Sequence, residues 1–281
     1  MGGPAESKVW FVTGASGGFG SAICDAALER GHRVVATVRE QSGVSAFESE
    51  HPGVLALALD VTEAGSVRRA VDHALAERGR IDVLVNNAGY GHFGAVEELE
   101  EDDIRAQFEV NLFGVSAVTR AVLPQLRRQR SGHIVQMSSL NGVVGLVGGG
   151  YYAASKFAVE GLSESLAQEV APLGIRVTIV EPGPHRTGFA GEGARLAAPI
   201  EDYAATVGAA RELLADLDGN QPGDPRRAAA AIIEAIEAPD PPLRLALGEY
   251  AVAGIREKLE QQCAELERWQ ELSVSTAFVN G

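Results

Sequence analysis

The sequence predicts an α/β fold: a doubly wound parallel sheet of about seven strands with helices on both faces. Two observations carry that reading. Short β-branched runs, apolar along their whole length, alternate with helix-length amphipathic segments, as strands covered on both faces require. Residues Lys8 to Gly20 also place an apolar strand, VWFV, directly before a glycine-rich turn, TGASGGFG, and a helical stretch, SAICDAALERG, follows. Strand, glycine turn and helix in that order form the opening unit of a nucleotide-binding sheet.

The strands are expected at Val9 to Thr13, Arg33 to Val38, Val54 to Leu59, Ile81 to Val85, His133 to Met137, Arg176 to Val180 and Leu243 to Leu247. Each is bounded by turn residues or by an amphipathic segment. Gly31 follows ALER, where a C-terminal glycine cap falls, and Asp102 or Asp103 is placed to cap the helix running through Asn111. The stretch 188–225 is punctuated by glycine around a helix with Tyr203, Val207, Ala210, Leu214 and Leu217 on one face. It reads as a lid inserted over a substrate. A last helix, 252–272, carries Ile255, Leu259, Cys263, Leu266 and Trp269 as an apolar stripe. Core packing is the expected use of that stripe, with a subunit contact as the alternative. No linker, repeat or charge block divides the 281 residues, so a single domain spanning 1–281 is expected.

Gly14, Gly18 and Gly20 line the first strand-to-helix turn. Glycines there let the backbone approach a pyrophosphate, and the helix N-terminus behind them offers unpaired N–H groups and partial positive charge. Farther along, Tyr152 and Lys156 stand four residues apart, one turn of helix, and Ser139 lies 13 positions upstream of the tyrosine. The four-residue spacing puts phenol and ammonium on one face, where the cation can lower a phenol pKa of roughly 10. Such a phenol can exchange a proton with a substrate oxygen. A Tyr and a Lys four apart also occur on ordinary solvated helix faces, so the pair gains its meaning from the glycine turn.

TGASGGFG, the NNAG run at Asn86 to Gly89, Asn111, Ser139 and the Tyr152/Lys156 pair together resemble the short-chain dehydrogenase/reductase family in its shorter branch. The resemblance runs in order from about Val9 to Pro184. It implies a Rossmann-type sheet with strand order 3-2-1-4-5-6-7 and a catalytic set of Asn111, Ser139, Tyr152 and Lys156. In that set Tyr152 is the general acid and base, Lys156 tunes it and holds the nicotinamide ribose, Ser139 binds the substrate oxygen, and Asn111 holds a water leading to solvent. Ser138 is the rival for the serine role. Gly14, Ser16, Gly18, Phe19 and Gly20 would bind the cofactor at the first turn, Asp60 and Val61 the adenine, and Asn87, Ala88 and Gly89 would pack beneath it. Pro182, Gly183 and Thr187 would orient the nicotinamide, while Asn86 serves either the site or the fold.

Cofactor choice is set where the second strand ends, VVATVRE. By resemblance the deciding acidic position is held by Val38, and Arg39 follows, suited to a 2′-phosphate; NADP(H) is therefore expected in preference to NAD(H). Glu40, one step on, is the competing carboxylate. His92 after NNAGYG and His185 after PGP stand where the branch usually carries an apolar residue, so at least one of them is expected to line the substrate site. The leading function is an NADP(H)-dependent oxidoreductase interconverting a ketone or aldehyde and an alcohol. A dinucleotide-binding sensor or scaffold without turnover and a related isomerase or dehydratase are the alternatives.

The net charge of −14 argues against nucleic acid, whose backbone attracts clustered Lys and Arg. Cys24 and Cys263, the only cysteines, lack metal-ligand spacing, and no metal site is expected; two reduced, partly buried thiols are. The start, MGGPAESK, has neither an apolar signal core nor a transit pattern, and the longest uncharged run, Ile134 to Ser155, is broken by polar residues. A cytoplasmic protein off the membrane is expected. By resemblance it would assemble as a homodimer or homotetramer.

Overall fold

The computed structural model describes residues 7–191 and 193–278. The targeting reading at the N-terminus therefore falls almost entirely on positions outside the described residues. All seven expected strands form: β1 (Val9–Val12), β2 (Arg33–Val38), β3 (Leu55–Ala58), β4 (Val83–Asn86), β6 (Gly132–Met137), β7 (Ile175–Pro182) and β9 (Arg244–Leu247). They pair in parallel in the order β3-β2-β1-β4-β6-β7-β9, which is 3-2-1-4-5-6-7 when only this sheet is counted. Two further strands, β5 (Gly91–Phe93) and β8 (Ala194–Leu196), make a separate parallel pair with His92 opposite Arg195.

Side chains alternate across a strand, and here both faces are buried. Trp10 and Val12 point to one face and pack with α1 (Gly18–Glu29) and α8 (Pro225–Glu237), while Val9 and Phe11 join a second cluster with α3 (Ala64–Arg78), α5 (Val115–Gln129) and α6 (Gly150–Val170). The sheet is thus sandwiched, as the unbroken apolar runs demand. β1 has β2 on one side and β4 on the other, so the strand order reverses beyond Val12. A crevice opens at such a reversal, and it is there that the glycine turn begins.

Gly31 ends α1 as expected, with φ of 79° and its N–H donated to the Leu28 carbonyl. The capping expectation at Asp102 or Asp103 fails. α4 (Glu101–Phe108) follows Glu100 with no side-chain capping bond, and Glu101, Asp102 and Asp103 lie in its first turn, where they favour the positive end of the helix dipole. Between α4 and α5 the chain widens into a single π-type turn, Glu109–Gly114.

The C-terminal helix also departs from its expected use. α9 (Glu249–Val274) buries only Ala251, and Leu259, Leu266 and Trp269 stand about half exposed or more. Its stripe is half-buried at Ile255 and exposed from Leu259 on, so amphipathic spacing here does not mean core. Cys24 is buried, its thiol pushed up to about 12 by burial and then by Asp25, whereas Cys263 is exposed. No helix among the described residues is long and apolar enough to cross a membrane. The remaining helices are α2 (Val44–Glu50) and α7 (Ala209–Leu217).

Candidate active site

The first turn is held together by the residue that precedes its glycines. Thr13 Oγ accepts from the backbone N–H groups of Asn87 and Ala88, at 2.9 and 3.1 Å, and Asn87 Nδ2 donates to the carbonyls of Thr13 and Gly14. These bonds lock the chain leaving β1 to the chain leaving β4. Gly14 and Gly18 take φ of 63° and 55°, a backbone region glycine enters without cost. A Cβ on Gly14 would stand 2.8 Å from Ala88 Cα, and one on Gly18 would stand 3.1 Å from Thr187 Cβ. The expected cofactor residues Gly14, Gly18, Gly20, Asn87, Ala88 and Thr187 therefore converge on one cradle. α1 starts behind it with no side-chain cap, leaving its first N–H groups free for an anion, and a Cβ on Gly17 would meet nothing within 4 Å. A pyrophosphate fits this cradle.

Around it stand the other expected contacts. Ser16 and Arg39 are exposed, and Arg39 is close enough for its charge to act on Asp60. Two hydrogen bonds from Thr62 hold the Asp60 carboxyl below the usual range first, with Arg39 adding to them. Val61 is buried against Gly114, and Gly183, following Pro182, donates to the Leu247 carbonyl. Asn86 spends its side chain inside the fold, donating to Thr119 and Gln136.

α6 brings Tyr152 and Lys156 to the same rim, both 6% exposed. Lys156 Nζ donates to the Met137 carbonyl at 2.8 Å and lies 5.9 Å from the centre of the phenol ring. Burial pushes Tyr152 up to about 12, opposed by the Ser139 hydroxyl beside it, and burial pulls Lys156 down to about 8 against the charge of Glu160. The expected lowering of the phenol by the ammonium is not found: burial leads, and the group that opposes it is Ser139. At neutral pH the phenol carries its proton. Asn111 sits in the π-type turn, fully buried; its Oδ1 accepts from the Tyr90 N–H, and its Nδ2 donates to the Tyr90 carbonyl and to Ser155 Oγ. A Cβ on Gly89 would lie 3.1 Å from Asn111 Oδ1 and 3.6 Å from Lys156 Nζ, so both reach the same point under the cradle.

The two histidines are not brought to the phenol. β5 alternates, so Phe93 faces Tyr152 at 5.4 Å between ring centres while His92 turns to the other side, its Nδ1 3.8 Å from Asp103 Oδ1. His185 packs tilted against Phe19, 5.0 Å between ring centres, and its Nδ1 meets the Gly183 carbonyl at 2.9 Å. In their place Phe189, also 5.4 Å from the Tyr152 ring, closes an aromatic triangle with Phe93. Thr13, Phe93 and Phe189 escaped sequence reasoning because a threonine at a strand end, a phenylalanine in a three-residue strand and one in a loop carry no pattern; only their nearness to TGASGGFG, NNAG and PGP marks them.

Beyond the triangle the segment 188–225 is tied down by Glu97, which accepts from the Tyr203 hydroxyl at 2.7 Å, and above all by Glu98. Glu98 accepts from the backbone N–H groups of Ala95 and Ile200, at 2.6 and 2.8 Å, and from Arg211 Nη2 at 2.8 Å. The Ile200 bond leads in holding its carboxyl below the usual range. Val207 is buried, and Tyr203, Ala210, Leu214 and Leu217 are half-buried, so the apolar face turns inward. Glu98→Gln replaces an ion pair to Arg211 with a neutral amide, and faster amide exchange at Ile200 and across 197–211 is the expected result.

Comparison with known proteins agrees with this geometry. The family described as short chain dehydrogenase matches residues 8–195. The chain is 44% identical to "Oxidoreductase BOA17" of Botryotinia fuckeliana, over 96% of this chain and 100% of that one. The crystal structure of a short-chain dehydrogenase from Streptomyces avermitilis superposes with a TM-score of 0.90 and 44% identity, covering 97% of this chain and 100% of that chain. A short chain dehydrogenase/reductase from Burkholderia phymatum, solved in complex with NAD, gives 0.80 and 26% identity over 93% and 97%. Cradle, buried phenol and buried lysine thus stand where this match runs, and the chain belongs to the short-chain dehydrogenase family of oxidoreductases.

Proposed function

We propose that the protein is an NADP(H)-dependent oxidoreductase that interconverts a ketone or aldehyde and an alcohol, with Tyr152 as general acid and base. One observation carries the reading: a protonated, buried phenol stands beside the Ser139 hydroxyl and Lys156, next to a cradle that fits a pyrophosphate. The dinucleotide, when bound, supplies or accepts the hydride. Ser139 holds the substrate oxygen by a hydrogen bond, and Tyr152 gives it a proton in reduction or takes one in oxidation. Lys156 offsets the charge left on the phenol, and Asn111, beneath it, lies on the path by which the proton is replaced. Phe93 and Phe189 exclude water and favour an apolar group beside the reacting carbon. The segment 188–225 acts as the lid, and a homodimer or homotetramer in the cytoplasm is the setting we assign.

The test is oxidation of NADPH and NADH by the purified protein against a panel of steroids, aromatic ketones, aldehydes and diketones. Turnover on a member of the panel supports the reading; dinucleotide binding without turnover across it favours the sensor. Arg39 sets the cofactor preference in this scheme through a charge-assisted contact with the 2′-phosphate. Arg39→Glu is expected to lower the NADPH over NADH ratio of kcat/KM by roughly tenfold to a hundredfold. An unchanged ratio would sink the assignment.

A further inference from the structure

One helical turn beyond Lys156, on the same face of α6, lies a carboxylate that the scheme above does not use. Glu160 is 6% exposed, and its Oε2 is 3.3 Å from Arg244 Nε. The same guanidinium nitrogen lies 3.4 Å from Oε1 of Glu181, which is 2% exposed on β7, and Arg244 Nη2 reaches Glu164 at the surface at 3.2 Å. Oε1 of Glu160 and Oε1 of Glu181 are buried with no hydrogen-bond donor. A Cβ on Gly142 would lie 3.2 Å from Glu160 Oε1 and closer still to Ser138 Oγ, so the buried Ser138 hydroxyl is the neighbour of the carboxylate on that side. Buried carboxylates are costly unless paired, and here one guanidinium serves both. Arg244 thus clamps Glu160 and Glu181, and Glu160 stands one helical turn from Lys156 without a direct ion pair to its ammonium among the described residues.

We propose that Glu160, held by Arg244 and backed by Glu181, is a positioning residue that keeps the Lys156 ammonium charged inside an apolar site. The groups facing Glu160 are Lys156 and Glu164 from α6, Glu181 from β7 and Arg244 from β9; Glu181 faces Glu160 and Arg244. Burial raises Glu160 against Ser138 and Arg244, and burial followed by the charge of Glu160 pushes Glu181 up to about 7. Glu160 is in turn the charge that opposes the burial-driven fall of Lys156. Without its carboxylate the ammonium faces desolvation alone, so its midpoint must fall further.

The assignment concerns the charge of Lys156 and stands apart from the turnover reading. Lys8, Lys156 and Lys258 are the only lysines in the sequence, so the protein labelled with 13C at lysine Cε gives three signals to follow against pH by NMR. The Lys156 midpoint is expected at about 8 in the wild type. In Glu160→Gln it is expected lower by roughly one pH unit, with Lys8 and Lys258 unmoved. Glu164→Gln, which removes an exposed partner of the same arginine, is expected to leave it in place. An unchanged midpoint in Glu160→Gln overturns the proposal, and so does an equal fall in Glu164→Gln, which would mean a diffuse acidic field. Should Glu160→Gln fail to fold, Arg244→Gln is read instead. Loss of the guanidinium removes the charge that holds the Glu160 carboxylate down, so its support of the ammonium weakens and the midpoint must again fall; a constant value overturns the proposal. A wild type that shows this titration but no turnover on any carbonyl would refute the reductase reading alone.

Discussion

Tyr152→Phe is expected to lower turnover by roughly 10²- to 10⁴-fold, the range a positioned general acid contributes. The phenol is buried against Phe93 and Phe189, and the ring of a phenylalanine fills the same space. Only the hydroxyl and its contact with Ser139 are lost. Lys156 keeps its bond to the Met137 carbonyl, and the cradle at Gly14 to Gly20 lies on another element. Dinucleotide affinity, measured by fluorescence titration, is therefore expected to change little while kcat collapses. A variant that keeps more than a tenth of the wild-type turnover would remove Tyr152 from the proton-transfer role. The wild-type pH profile adds a sign to the same prediction. With the phenol protonated well past neutrality, reduction is expected to hold its rate at neutral pH, while oxidation, which needs the phenolate or a base in its place, rises as the solution becomes alkaline.

Gly20→Ala is expected to be the most damaging small change to the fold. A Cβ there would overlap the Gly14 carbonyl oxygen and stand 2.7 Å from Asn87 Nδ2 and 2.8 Å from Ala15 Cα. Two of those three atoms are backbone, so relief requires opening the turn that joins β1 to α1. Overpacking of this kind costs about 3 kcal/mol, which for a chain of this size lowers Tm by roughly 6 to 12 °C. Asn87 would also lose its hold on Thr13 and Gly14, so cofactor affinity falls with stability. Gly17 is the internal control. It lies three residues earlier with φ of 178°, an extended backbone open to any residue, and nothing stands within 4 Å of its added Cβ. Gly17→Ala is expected to change stability by less than about 0.5 kcal/mol. Equal melting temperatures for the two variants would refute the packing argument.

That contrast shows where sequence reasoning works and where it stops. TGASGGFG announces a cradle, but the pattern alone does not separate Gly17, which tolerates a methyl group, from Gly20, which does not. The distinction lives in contacts made by Asn87, more than sixty residues away. The seven strands of the sheet were legible to within two residues because each is a β-branched run too apolar for any exposed setting. β5 and β8 were not, because three residues are too few to show a period. The stripe on α9 was legible as amphipathic and misread as core, since spacing reports a face and not what covers it. Asn111, Ser139, Tyr152 and Lys156 were readable as a set through motif and resemblance, and the structure brings them to one rim. Glu160 was not, because a glutamate on a helix ordinarily meets water, and its burial depends on Arg244 arriving from the last strand.

Asn111 also has a structural part in the chain leaving β4. Its side-chain amide accepts from the Tyr90 N–H and donates to the Tyr90 carbonyl, so it does for that residue what a neighbouring strand would do. A side-chain amide offers a donor and an acceptor side by side on one planar group. Aspartate would leave the Tyr90 carbonyl without its partner, leucine would abandon both groups in a fully buried setting, and serine is too short to span them. The extra width of the π-type turn is what aims the amide at this one peptide unit. Residue choice at 111 is thus constrained by the architecture of the chain leaving β4 before any proton moves, and a repertoire limited to one amide is the imprint of that constraint.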